Sequence, residues 1–164
     1  MRLLTAPVSL PAILLGKTLA GVIFGLVVAV LPLGVGLALG AQVTSLAWLA
    51  VGLVLSAGAF SSLGVLFSTI GGQNVGAVMM PATLIRWPLL FVSGLFIPLA
   101  DLAWWSKPLA YLSPLTYAHD VINGAMGGTG YLSPVLDVAA LVAFWIVFLA
   151  VGLRLHEAGR RRGL

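Results

Sequence analysis

The sequence predicts an all-α, polytopic membrane protein with four transmembrane helices. Three observations lead there. Apolar residues make up 61% of the 164 residues and charged ones 7%, against roughly 45–50% and 25% in soluble domains. No Asp, Glu, Lys or Arg occurs between Thr18 and Ile85. As one helix that run would be about 100 Å long, some three times the hydrocarbon core, so it must fold back on itself. Alternation of period two is missing, which argues against a β-barrel and for helices that satisfy their own backbone hydrogen bonds.

The elements follow in order. Arg2 and the apolar residues after it have the look of a signal peptide, but two prolines and the longer apolar run that follows directly argue against cleavage. "PAILLGKT", Pro11 to Thr18, ends like a phosphate-binding loop. Pro11 stands where the first glycine belongs and has no N–H to offer a phosphate, so the chain is not expected to hydrolyse nucleotide. Lys17 instead marks the start of a first span, Thr18–Leu39. Turn chemistry at "GAQVTS" (Gly40–Ser45) and "GGQN" (Gly71–Asn74) separates it from a second, Leu46–Ile70, and a third, Val75–Ile97. A fourth runs over 134–155, with Asp137 and Arg154 at its two interfaces. The stretch 98–133 between the third and fourth spans lies outside, and 156–164 forms a basic tail.

Charge orients this topology. One side collects Arg2, Lys17, Arg154, Arg160, Arg161 and Arg162 against Glu157 alone. The other carries Asp101, Lys107, Asp120 and Asp137. The positive-inside rule makes both termini cytoplasmic in a multi-pass protein of the cell membrane. Tyr111, Tyr117, Tyr131 and the Trp104–Trp105 pair then sit at the outer interface as aromatic anchors. The net charge of +4 is dispersed, which suits membrane orientation better than nucleic-acid binding. No cysteine is present, excluding disulfides and thiolate metal sites. The tail serves as a topological anchor or contacts anionic headgroups. No internal repeat is visible, and residues 1–164 read as a single membrane domain.

Catalytic and metal sites are not expected. Ser93 lacks the preceding glycine of a G-x-S-G protease signature, Phe91 standing in that place, and neither His119 nor His156 is placed to serve it as a base. A proton-driven pump would usually need an embedded carboxylate, whereas Asp101, Asp120 and Asp137 fall at or outside the outer interface. Arg86 is the one charge deep in a span. It either lines a pathway or caps a helix broken between Pro81 and Pro88, or it snorkels and pairs with backbone carbonyls. Small residues four apart (Gly21/Gly25, Gly36/Gly40, Gly52/Ser56, Gly72/Gly76) suit close helix packing in lipid.

The stretch "FVSGLFIPLADLAWWSKPLAYLSPLTYAHD", Phe91 to Asp120, resembles the membrane subunit of type-2 ABC transporters. In that family a span ends in F-x-S-G-x-x-x-P, followed by a short re-entrant helical hairpin and P-x-T-Y…D. Phe91, Ser93, Gly94, Pro98, Pro114, Thr116, Tyr117 and Asp120 occupy those positions. "LLTAPVSLPAILLGK", Leu3–Lys17, resembles the family's cytoplasmic stretch between its second and third spans. "WWSKPL" stands where many members read Leu-Pro-x-Trp. The resemblance covers nearly the whole chain, which corresponds to the family's C-terminal portion without the first two of six spans.

The resemblance implies a permease subunit of an ATP-driven exporter that forms half of a translocation pathway with a second permease chain, identical or not. A separate ABC ATPase would carry ATP and Mg, leaving this chain without a cofactor of its own, and would dock near Leu3, Leu4, Pro7, Val8, Leu14 and Lys17. The outer segment would be the re-entrant hairpin. Its mixture of Asp101, Lys107 and Asp120 with Trp104, Trp105, Leu109, Leu112 and Leu115 suits a half-buried hairpin covered by protein, or else an amphipathic interfacial loop. The alternative function is a truncated, non-transporting scaffold or inactive permease fragment.

Overall fold

A computed structural model describes residues 10–71 and 75–161, all helix and connecting loop with no strand among them. The helices are α1 (Leu10–Ala38), α2 (Leu46–Gly71), α3 (Val75–Val92), α4 (Lys107–Tyr111), α5 (Pro114–Ala125) and α6 (Pro134–Arg161), with a 3₁₀ turn at Leu99–Asp101. Among the described residues, three segments are long and apolar enough to cross a bilayer: Pro11–Ala38, Leu46–Thr69 and Pro134–His156. Leu3, Leu4, Pro7 and Val8 lie outside the described residues.

The central helix is α2, which packs against α1, α5 and α6 and touches α3 more lightly. Its residues explain why. Leu49, Gly52, Ser56 and Ala59 recur at helical spacing and are all buried, so mostly small side chains line the inward stripe. At Gly52 a Cβ would stand 2.8 Å from the Val121 side chain, and at Gly58 it would meet the Trp145 ring at 2.7 Å. Lipid is as apolar as leucine, so close backbone approach and van der Waals contact, not exclusion of water, hold such helices together.

On α1 the buried residues Leu14, Thr18 and Val22 are each four apart. Beside them Gly25 lies against Ala57, where an added Cβ would be 3.5 Å away, and the Ser61 hydroxyl donates to the Thr18 carbonyl at 2.8 Å. The rest of α1 is apolar and exposed, Phe24 by 71% and Leu31 by 74%, as a lipid-facing surface would be.

The third expected span is shorter than its hydropathy suggests. Helix α3 stops at Val92 instead of continuing to Ile97. The Ser93 hydroxyl donates back to the Leu90 carbonyl at 3.1 Å, and Gly94 takes φ +89°, a left-handed turn that glycine adopts without a Cβ penalty. Pro98 then opens the 3₁₀ turn, Asp101 N–H donating to its carbonyl at 2.9 Å. Leu99, Leu102 and Ala110 bury one another beneath Val92.

The main core lies where α2, α5 and α6 meet: Ala59, Tyr117, Ala118, Val121 and Leu141, flanked by Leu55, Phe144 and Trp145. The α1–α2 loop joins this end of the molecule. Thr44 and Ser45 both donate backbone N–H groups to the Ala125 carbonyl, at 2.9 and 3.1 Å, so the C-terminus of α5 is tied to the top of the α1–α2 pair.

Candidate functional site

The residues that resemble a family pattern are drawn together by hydrogen bonds to backbone. Ser113 is the N-cap of α5, its side chain accepting from Leu115 N–H at 3.2 Å, and Pro114 follows at the first helical position, where no N–H is needed. One turn on, the Thr116 hydroxyl donates to the Ala110 carbonyl at 2.6 Å and the Tyr117 hydroxyl to the Tyr111 carbonyl at 2.8 Å. These two bonds add to the Ser113 N–H bond already made to the Ala110 carbonyl at the end of the five-residue α4, and fold α4 and α5 back on each other. Burial pushes the Tyr117 hydroxyl above its usual pKa of 10, with Tyr111 and then Asp137 adding to the effect. Tyr117 is therefore an internal tie and not the interface anchor expected of it, whereas Tyr111 and Tyr131 are exposed.

Asp120 closes the other side of α5. Its two carboxylate oxygens accept from the Tyr131 and Leu132 N–H groups at 2.8 and 2.7 Å, and the residue is 3% exposed. The loop from Gly127 to Ser133 is thereby pinned to α5 before α6 begins. The Asp137 carboxyl lies against that of Asp120 and is itself buried, with one oxygen unpartnered. Both aspartates, expected at or outside the outer interface, are buried between α5, the loop that follows it and α6.

Other expected residues remain apart from this cluster. Phe91 and Phe96 stack on each other, ring centroids 5.4 Å apart, and both are exposed. Ser93 and Gly94 are buried at the α3 break, Pro98 is exposed, and Leu99 covers Gly94. Trp104 and Trp105 are 85% and 63% exposed. At the opposite end of the chain Leu14 is buried and Lys17 exposed.

Arg86 is exposed and lines an open cavity of about 460 Å³ between α2 and α3, walled by Phe60, Phe67, Met79 and Leu89, with Leu115 of α5 at one edge. Among the described residues it has no ion-pair or hydrogen-bond partner. No group of His, Asp and Glu able to hold a metal occurs among those residues. The sequence singled out Arg86 but not the cavity, since Phe60 and Phe67 share a face only through their seven-residue spacing. Ser113 was also passed over, although Ser-Pro ahead of an apolar run is a helix-start signal.

Comparison with known proteins decides the family. The model of the ABC-2 type transporter family matches residues 1–127. The chain belongs to that family. This ABC-2 protein is 29% identical over 160 residues to an inner membrane transport permease, YadH, of Escherichia coli K12, and equally to the proteins of that name in Escherichia coli O157:H7 and Shigella flexneri. The match covers 97% of this chain and 62% of those relatives. No solved structure matches it.

Proposed function

We propose that the chain is the membrane-spanning subunit of an ATP-driven exporter, forming half of a translocation pathway and powered by a separate ATPase. The observation that carries this reading is the family match over residues 1–127. The tied outer segment supports it. Thr116, Tyr117 and Asp120 spend their polar groups on holding α4, α5 and the following loop in one shape, as a fixed element at the mouth of a pathway would require.

In this reading the segment 98–133 is the re-entrant hairpin, α3 completes the span that hydropathy placed at 75–97, and both termini are cytoplasmic. A second permease chain supplies the other half of the pathway. The ATPase, bearing ATP and Mg, docks along Leu3–Lys17, where Lys17 is, among the described residues, the exposed cation nearest the start of α1. ATP-driven closure of the ATPase would shift the pair between inward- and outward-open states through differential binding.

The test is a pull-down from native membranes with a tag after Leu164, followed by mass spectrometry. A nucleotide-binding ATPase retained at near-equal stoichiometry is the expected result, with Lys17→Glu lowering its recovery while the membrane level of the chain is unchanged. Recovery of this chain alone, under conditions that preserve other transport complexes, would overturn the reading in favour of a scaffold or inactive fragment.

A further inference from the structure

We propose that the α2–α3 cavity binds an amphipathic anion, its acid group paired with Arg86 and its apolar body lying against Phe60, Phe67 and Met79. The inference rests on the transport reading insofar as the bound anion is cargo.

The cavity's volume, about 460 Å³, falls within the range of roughly 300–1,000 Å³ typical of small-molecule sites. Its chemistry is two-sided. The α2 wall offers two phenylalanines on one face, and the α3 wall offers Met79, an adaptable thioether that accommodates varied apolar shapes. One guanidinium, that of the exposed Arg86, borders this apolar space. It is always charged, presents donors in a fork that matches a carboxylate or phosphate, and has no partner among the described residues.

Arg86 lies eleven residues from Val75 and six from Val92 along α3, about 16 Å and 9 Å of helix. In the transport reading α3 lies in the bilayer, where a charge is favourable only with a counter-charge or water. A neutral apolar molecule would leave the guanidinium unpaired, and a wholly polar anion would gain nothing from Phe60, Phe67 and Met79. Only a ligand with both characters satisfies both walls. Leu115 at the edge connects the cavity to the first turn of α5, so an occupant would lie alongside the outer segment.

The experiment uses the full chain in nanodiscs of zwitterionic phosphatidylcholine. Two probes are compared, a pyrene-labelled dodecanoate and its uncharged methyl ester. Binding is read as saturable energy transfer from tryptophan, Trp87 being the neighbour of Arg86, above the signal from empty discs. The carboxylate should bind about tenfold tighter than the ester. Arg86→Gln should erase that preference while leaving ester binding, Arg86→Lys should keep most of it, and Phe67→Ala should weaken both probes alike.

Equal binding of the two probes, or a preference that survives Arg86→Gln, would overturn the proposal. If Arg86→Gln fails to reach the membrane, competition on the wild-type chain decides: unlabelled dodecanoate should displace the probe at about a tenth of the concentration that dodecanol needs. A second copy of the chain could instead fill the groove. The chain has no cysteine, so a disulfide-linked dimer formed by Met79→Cys in native membranes would assign the groove to that copy and also overturn the site. No ATPase is present in the nanodiscs, so a negative result removes only the anion site. Absence of an ATPase from the pull-down removes the transport reading and leaves the site standing.

Discussion

At the residue scale the segment between α3 and α6 depends on one carboxylate more than on any other side chain. Asp120 accepts from two backbone N–H groups while buried, and bonds to a charged acceptor contribute about 1.5–3 kcal/mol each. Asp120→Ala should therefore lower stability by about 3 kcal/mol, read as a drop in the thermal midpoint in detergent. Asp137→Asn should have the opposite tendency. An amide gives the unpartnered position a donor to set against Asp120, so its midpoint should match or exceed the wild-type value. Equal losses in both variants would show that the pair is not organised in this way. The pattern positions were legible in the sequence, but their work was not. Thr116 and Tyr117 bond to the carbonyls of Ala110 and Tyr111, and a backbone carbonyl leaves no mark on residue identity.

At the scale of elements, hydropathy located the long helices but not every end: α1 begins at Leu10, before the expected Thr18, and α3 stops at Val92. Leu95, Phe96 and Ile97 are as apolar as the residues before them, so the apolar run continues where the helix does not. Backbone geometry sets the end, through the positive φ of Gly94 and the side chain of Leu99 packed over it. Gly94→Ala should cost about 1–3 kcal/mol from the left-handed conformation, with a further loss from collision with Leu99 Cδ1. The same measurement of thermal midpoint checks it, and Ser93→Ala supplies the comparison. Removing the Ser93 hydroxyl deletes one local bond and should cost about 1 kcal/mol. A midpoint for Gly94→Ala above that of Ser93→Ala would mean that α3 does not end in this turn.

For the whole molecule, small residues set the assembly. Gly52 and Gly58 admit α5 and α6 to the two sides of α2; the four-residue spacing picks out Gly52, with Ser56, but not Gly58. Which helix each glycine faces was not visible, since spacing fixes a face and not a partner. Orientation in the bilayer can be checked on a cysteine-free chain. Trp104→Cys, at a highly exposed site, should react with a membrane-impermeant maleimide added to intact cells. Lys17→Cys should react only after the membrane is opened. The reverse pattern would invert the topology that charge asymmetry assigns.

The Asp120 bonds also amount to a cross-link. They span eleven and twelve residues along the chain, closing a loop as a disulfide might, in a protein with no cysteine to make one. Such closure restricts the connection into α6 with no oxidising compartment and no redox partner. Unlike a covalent bridge, it can open and re-form by exchanging hydrogen-bond partners, so the loop before α6 keeps both a defined shape and a way to leave it.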